Sequence, residues 1–324
     1  MTSTLPHIVV LDDYEHAFLT LSDWSWVQSH SQLQVFHAPL KGQALIDAIA
    51  TADVLVLMRD RTPLDAALIA QLPRLQLVVF TGTRNQALDV EALKARGIPV
   101  CHTGWGPSKD STAELTWAMI LAAYKQLPAH VQALQAGQWR GPHALLPVLR
   151  GETLGLLGLG EIGSRVAAVG RAMGMRVCAW SPHMTPERAA AQGAEAATLE
   201  TVLSTSRVVS LPLVVGPSTR HLLNRERLAL MRPDALLVNT SRAALVDTGA
   251  LVDALAAGRP AYAALDVFDE EPLPQDHPLR RCPNALLTPH LGFVARPVFE
   301  QFVADALEAV TCWLQHRPLP RQLP

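Results

Sequence analysis

The sequence predicts an α/β protein made of two doubly wound parallel-sheet domains. Three observations carry this. Short apolar runs alternate with stretches of helical spacing almost throughout, the βαβ rhythm of a parallel sheet covered on both faces. The rhythm breaks over residues 136–151, a stretch rich in Gly, Pro and Trp, and then restarts. A chain of 324 residues with 49% hydrophobic content is long and apolar enough for two cores. No internal repeat and no low-complexity segment appears.

In the first half, apolar runs at residues 7–11, 53–58 and 75–80 read as buried strands, with a shorter candidate at 98–101. Helical spacing fills 42–50, 64–71 and 87–96. A longer helix over 109–126 ends before Pro128. Past the break come strand 153–157, helix 162–173 and strand 176–180. Further strands are predicted at 208–211, 236–239 and 262–267, with a short one near Leu286. Helices fit 225–231, 248–257 and a last stretch from about 297 to 315. The simplest division starts a second domain near residue 105.

Bulk properties narrow the function. A net charge of −2 gives no reason to expect a nucleic-acid or anionic-membrane partner. The four cysteines, Cys101, Cys178, Cys282 and Cys312, form no CxxC pair, so neither a zinc ribbon nor a redox motif is signalled and no metal site is expected. The N-terminus lacks a basic region followed by an apolar core and a cleavage site. Apolar stretches are broken by Arg, Asp, Gly or Pro well short of membrane-spanning length. These features, with the sparse cysteines, suit a cytoplasmic protein.

Gly158-Leu159-Gly160-Glu161-Ile162-Gly163 follows the apolar run 154–157 and opens a helical stretch. It matches G-x-G-x-x-G in the context that gives the motif meaning, strand before and helix after. Gly158 permits the tight turn, Gly160 lets backbone approach a pyrophosphate, and Gly163 lets helix pack on strand. The helix start then offers free N–H groups to the phosphates, so the whole motif, Glu161 and Ile162 included, is assigned to a dinucleotide. An acidic residue usually follows the second strand to hold the adenosine ribose. Here Ser181-Pro182-His183 stands instead. Ser181 can hydrogen-bond a ribose and does not repel a 2′-phosphate, so NAD and NADP both stay open. No arginine follows Ser181 immediately, which favours NAD.

Downstream lie a cation, a carboxylate and an imidazole. Arg242 ends Asn239-Thr240-Ser241-Arg242 after an apolar strand, and carboxyl ends of strands face the ligand crevice in such sheets. Thr240 and Asp266, at two strand ends, are assigned to the cofactor pocket. Glu271 precedes Pro272 in a loop, and His290 lies between Pro289 and Leu291. Taken singly, each has a bland reading: a surface arginine, a solvated acidic loop with Asp269 and Glu270, a structural histidine.

Taken in order, the motifs resemble the D-isomer-specific 2-hydroxyacid dehydrogenase family. They are Gly-Leu-Gly-Glu-Ile-Gly, Asn-Thr-Ser-Arg-Ala-Ala-Leu-Val-Asp, Leu-Asp-Val-Phe-Asp-Glu-Glu-Pro-Leu-Pro and Thr-Pro-His-Leu-Gly. The resemblance covers nearly the whole chain and is strongest from Gly151 to Gly292. It implies a Rossmann cofactor domain, residues 105–290, and a discontinuous flavodoxin-like substrate domain, residues 1–104 with 291–324, on which Phe299, Phe302 and Trp313 of the last helix would pack. It implies that Arg242 binds the substrate carboxylate and polarises the 2-oxo group, that His290 is the acid–base, and that Glu271 orients it. A guanidinium stabilises the charge that develops as hydride reaches C2, and an imidazolium supplies the proton.

The resemblance further implies a substrate-carboxylate loop in the first domain at Thr81-Gly82-Thr83-Arg84, where the backbone at Gly82 and Thr83 forms an amide nest. Arg59 and Arg61 either add charge there or lie in a solvated loop. Thr112 is placed on the nicotinamide side. Trp105 and Trp139 either shape the pocket or simply pack. Two positions depart from the family pattern: Pro212 stands where His is frequent, and Ala243 where Gly follows the arginine. The expected protein is a homodimeric NAD(P)-dependent reductase of a small 2-oxo acid. Lack of an extra C-terminal regulatory domain leans toward glyoxylate, hydroxypyruvate or another short acid. Two rivals share the fold. Formate dehydrogenases of this group usually carry Gln beside the histidine, so Glu271 argues for a hydroxyacid. A corepressor-like dinucleotide sensor would bind cofactor and turn over nothing.

Overall fold

The computed structural model describes residues 5–141 and 145–324. The chain divides into two compact units, Met1–Pro107 with Ala295–Pro324, and Ser108–Val294. Each is an α/β unit on one parallel sheet, of five and seven strands. Among the described residues no helix is long and apolar enough to cross a membrane.

The first unit runs β1 (His7–Leu11), α1 (Ser25–His30), β2 (Gln32–Val35), α2 (Gly42–Ile49), β3 (Val54–Leu57), α3 (Ala66–Ala70), β4 (Leu77–Phe80), α4 (Val90–Ala95) and β5 (Val100–His102). The sheet order is β2-β1-β3-β4-β5, the flavodoxin-like winding. Strands β3 and β4 are apolar and buried at every position because helices cover both faces. Asp65 and Asp89 start α3 and α4 by accepting from the Leu68 and Ala92 N–H groups. The C-terminal helix, Arg296–Leu314, buries Phe299, Phe302 and Val303 and packs on β4 and β5. Asp305 on that helix accepts from Gly104 N (2.7 Å) and pairs with Arg321 (3.2 Å).

The second unit runs α5 (Ser108–Tyr124), α6 (Leu127–Gln135), β6 (Thr153–Leu157), α7 (Glu161–Ala172), β7 (Arg176–Trp180), α8 (Pro186–Ala190), β8 (Glu195–Ala196) and α9 (Leu199–Thr205). It continues through β9 (Val208–Ser210), α10 (Arg225–Leu230), β10 (Leu236–Asn239), α11 (Thr248–Ala256), β11 (Tyr262–Leu265) and β12 (Ala285–Leu287). The order β12-β11-β10-β9-β6-β7-β8 reverses between β6 and β9, the switch point of a Rossmann sheet. Loops after β6 and β9 therefore flank the ligand crevice of this unit.

The helix expected over 109–126 ends before Pro128, α5 stopping at Tyr124; Gln126 then turns left-handed at φ 46°, and Pro128 sits in the first turn of a separate helix, α6, that the sequence reading did not mark. Proline is tolerated there because that N–H has no partner in the helix. Trp139 neither packs nor lines a pocket, being 76% exposed. Described residues of the 136–151 break hold no helix or strand, and positions 142–144 of that expected loop lie outside them.

Candidate active site

Strand β6 is wholly buried, and the chain leaves it through Gly158 at φ 108°. A Cβ on Gly158 would lie 2.5 Å from the Pro212 carbonyl oxygen, so the loop after β9 presses against the loop after β6. A Cβ on Gly163 would meet Gly158 O at 2.5 Å, which is how the first turn of α7 closes down on the strand. Gly160 differs: a Cβ there would meet nothing within 4 Å. It is also the N-cap of α7, and no side chain caps the helix. An open face beside uncapped N–H groups suits the pyrophosphate of a dinucleotide. Ile162 packs partly into the core, leaving its backbone to act. Glu161 is engaged by Lys109 (2.5 Å), which ties α5 to α7.

The second strand of the motif ends at Trp180, whose carbonyl accepts from Gly158 N (2.8 Å). Ser181 is half-buried, and its carbonyl accepts from Met184 N (3.1 Å). Residues 181–186 contain no carboxylate. Arg188 folds back from α8 and donates through Nη1 to His183 O (2.5 Å). Sequence reading looked for an arginine immediately after Ser181 and missed this one, which reaches the loop only through the turn of α8.

Three adjacent parallel strands deliver the remaining groups: β10 leads to Arg242, β11 to Asp266 and β12 to His290. Arg242 is half-buried and held by Asn239, whose Nδ2 donates to Arg242 O (2.9 Å) and whose Oδ1 accepts from Ser241 N (3.1 Å). Ser241 Oγ donates to Leu213 O (2.8 Å), and Arg242 Nη1 to Ser241 O (2.8 Å). Asn239, which the sequence reading quoted without a role, is thus a buried clamp for the arginine's backbone.

His290 adopts φ 55°, and its Nδ1 is 2.6 Å from Glu271 Oε2. The other Glu271 oxygen accepts from Phe268 N (2.9 Å). The carboxylate is therefore fixed at both oxygens, and the imidazole is oriented through Nδ1 with Phe293 edge-on to its ring, centroids 5.6 Å apart. Asp266 explains the turn that carries His290. Its Oδ1 accepts from Thr288 Oγ1 (2.6 Å) and Leu291 N (2.7 Å), and its Oδ2 from Gly292 N (2.9 Å). Three donors on either side of His290 converge on one fully buried carboxylate. Burial pushes its carboxyl above the usual range, although the three hydrogen bonds oppose this. Asp266 thus stands behind the histidine turn and holds it.

Thr112 and Thr240 join the same network. Thr112 Oγ1 lies 2.8 Å from Ser108 O and 3.0 Å from Gly292 O. Thr116 Oγ1 lies 2.8 Å from Thr112 O and 2.7 Å from Thr240 Oγ1. The start of α5 is stitched in this way to both the β10 and β12 loops.

In the first unit, the Gly82 N–H is not free for an anion: it donates to Thr103 Oγ1 (2.7 Å). The nest expected at Gly82 and Thr83 is to that extent already filled from within. Arg59 is no solvated loop residue. It is 6% exposed, donates through Nη1 to Thr81 O and Arg84 O (both 3.2 Å), and lies 4.1 Å from the Trp105 ring centre. Trp105 Nε1 contacts Thr83 Oγ1, so Trp105 fastens this loop to the arginine. Arg61 meets Glu15 through both terminal nitrogens (3.0 and 2.7 Å) and stacks on Tyr14 (4.2 Å).

Comparison with known proteins identifies the family. A sequence model of the D-isomer specific 2-hydroxyacid dehydrogenase NAD binding domain matches residues 117–292. The glyoxylate reductase of Aeropyrum pernix is 39% identical over 292 residues, 88% of this chain and 86% of that one. The D-3-phosphoglycerate dehydrogenase of Methanocaldococcus jannaschii is 36% identical over 254 residues, 78% of this chain and only 48% of the longer relative. The solved phosphoglycerate oxidoreductase of Vibrio cholerae superposes with a TM-score of 0.89 at 35% identity, covering 96% of this chain and 100% of that one.

Proposed function

Because the chain belongs to the D-isomer-specific 2-hydroxyacid dehydrogenase family and is an NAD-dependent oxidoreductase, we propose that it reduces the C2 carbonyl of a small 2-oxo acid to the D-2-hydroxy acid. The Glu271–His290 hydrogen bond (2.6 Å) carries this reading, because it leaves a proton-carrying imidazole oriented by a fixed carboxylate. A bound nicotinamide supplies the hydride. Residues Gly158, Gly160, Glu161, Ile162 and Gly163 hold its pyrophosphate, with Ser181 at the adenosine ribose. Arg242 holds the substrate carboxylate and stabilises charge gathering on the C2 oxygen. His290 gives that oxygen its proton, and Glu271 orients the imidazole and fixes its tautomer through Nδ1. Asp266, Thr112 and Thr240 act one step back, by holding the turns on which these groups stand.

Residues 105–290 act as the cofactor part, and residues 1–104 with 291–324 as the substrate part. In the latter, Arg59 is the anion-binding side chain, with Gly82 and Thr83 lining its loop. Glyoxylate and hydroxypyruvate are the substrates proposed, which accords with the glyoxylate reductases and phosphoglycerate dehydrogenases among the relatives. NADPH is accepted beside NADH, since no carboxylate follows β7. The protein works as a homodimer.

The test is oxidation of NADH and of NADPH against glyoxylate, hydroxypyruvate, pyruvate and phenylpyruvate, with cofactor binding measured separately. Turnover of a short 2-oxo acid is expected. Cofactor binding with no turnover of any acid would replace this reading with a dinucleotide sensor.

A further inference from the structure

Strands β10 and β11 lie side by side, with Asn239 paired to Leu265, so the segments leaving them run together toward Arg242 and Glu271. The Asp266 carboxylate takes its three donors from the His290 side and holds nothing in residues 267–271. Packing does little for that loop: Asp269, Glu270 and Glu271 are exposed and Phe268 is half-buried. Under it lies a cavity of ≈ 10 Å³, about the room one water needs, walled in part by Asn239, Ala243, Thr248, Phe268 and Asp269. A loop over a void lacks the contacts that would fix it from below. Its hydrogen bonds therefore decide where it sits.

One bond is internal to the loop, Phe268 N to Glu271 Oε1 (2.9 Å). Another leaves it: Thr248 Oγ1 donates to Asp269 Oδ2 (2.5 Å). Thr248 opens α11 and follows Arg242 by six residues. The bond thus joins the segment that carries Arg242 to the loop that carries Glu271. Helix capping does not account for it, because Asp247 already caps α11 by accepting from Ala250 N (2.9 Å). Position is what the bond controls. Glu271 Oε2 stands 2.6 Å from His290 Nδ1, and a hydrogen bond of that length is lost by a small shift of the carboxylate. We propose that Thr248 and Asp269 are positioning residues, a latch that holds the 268–271 loop against the start of α11 and so keeps Glu271 on His290. The latch needs a hydroxyl at 248 and an acceptor at 269; it does not need the Asp269 charge. The inference rests on the proton-transfer role proposed for His290, and it adds two residues to that role which act through Glu271.

Steady-state kinetics of the full chain with NADH and a short 2-oxo acid tests it. Asp269→Ala and Thr248→Val should each lower kcat about tenfold, the cost of a misplaced proton donor. KM for the acid and the NADH dissociation constant should stay within about twofold, because the groups that bind them are untouched. Asp269→Asn and Thr248→Ser keep the acceptor and the donor and should restore wild-type kcat. The double variant Asp269→Ala with Thr248→Val should be no slower than either single one, since both remove the same bond. Amide exchange at Phe268 gives a readout that needs no turnover: it should quicken at least about tenfold in Asp269→Ala as the loop loosens. Wild-type kcat in Asp269→Ala, an Asp269→Asn protein as slow as Asp269→Ala, or losses that multiply in the double variant would each overturn the latch. A wild type that turns over no 2-oxo acid would sink the function proposed above instead. Phe268 then decides the latch alone, and exchange unchanged in Asp269→Ala overturns it.

Discussion

Arg242 and Asp266 show how one residue's role follows from what fixes it. Arg242 is a flexible side chain on a backbone clamped by Asn239, so its guanidinium is delivered to one place. Arg242→Ala should lower kcat/KM for the oxo acid by ~10²–10³, the effect of deleting one charged donor to a developing oxyanion. Activity near wild type would remove Arg242 from the mechanism. Asp266→Asn keeps the shape and loses an acceptor. Whichever way the amide faces, its NH₂ meets the N–H of Leu291 or of Gly292. The cost should be ~1–3 kcal/mol of stability, with kcat falling as the His290 turn loosens. The sign with pH is also set. The folded carboxyl titrates above its ordinary value because burial dominates. Its titration thus stabilises the fold fully below the unfolded value, and that contribution is lost as pH rises through the folded value. The stability gap between wild type and Asp266→Asn, measured by urea unfolding, should narrow from acid to neutral pH; a widening gap refutes the assignment. Arg188 gives the third prediction. Arg188→Ala should weaken NADPH binding at least about tenfold and leave NADH within about twofold, since only the 2′-phosphate needs that cation. Equal losses for both cofactors would contradict it. At this scale the sequence read well where position in a motif carries meaning: the resemblance assigned the orienting role to Glu271, before Pro272, and it is Glu271 that meets His290. It read poorly where a fold-back or an internal acceptor decides, as at Arg188 and at Gly82, because the Thr103 hydroxyl that accepts from the Gly82 N–H comes from just past the neighbouring strand β5.

Elements were legible in proportion to their burial. Strands β1, β6, β7 and β10 fall on their expected residues because a doubly covered parallel strand must be apolar throughout. The edge strands β2 and β8 escaped notice: Gln32–Val35 alternates exposed and half-buried positions, and Glu195–Ala196 has two residues. The helices α1, α8 and α9 have only five to seven residues, too few for a periodic signal. The glycine loop shows how far one element's sequence constrains function. Gly163 and Gly160 belong to the same motif and should fail differently. Gly163→Ala drives a methyl against the Gly158 carbonyl, so the protein should lose stability and cofactor affinity together. Gly160→Ala meets no atom of the chain, at a φ of −81° that alanine accepts. Its melting temperature should match the wild type while the NADH dissociation constant rises at least about tenfold, because the methyl stands where backbone must approach a phosphate. A Gly160→Ala protein that binds NADH normally would show that the open face is not the pyrophosphate site.

At the scale of the whole molecule, the two units have separate cores, one around Val9, Leu55 and Val78, the others around Leu203 and Leu237 and around Trp117 and Leu156. A chain with more than one core need not melt as one, so a single melting temperature is a poor probe of where a ligand acts. Local exchange is a better one. A cofactor that binds only the folded state adds RT ln(1 + [L]/Kd) to the stability of whatever it binds, ~2.7 kcal/mol at a hundredfold excess over Kd. If Ser108–Val294 carries the dinucleotide site, that increment should appear as slowed exchange at amides of β6, β7 and the first turns of α7. Those amides sit on or beside the glycine loop, and their global opening must release the ligand. Amides at the centre of β3 and β4, in the other unit, report whether the increment is confined. Protection gained in β6, β7 and α7 supports the assignment of the cofactor to this unit. Protection that rises only in β3 and β4 would place the dinucleotide in the wrong half of the chain, and with it the whole reading of Gly158 to Gly163.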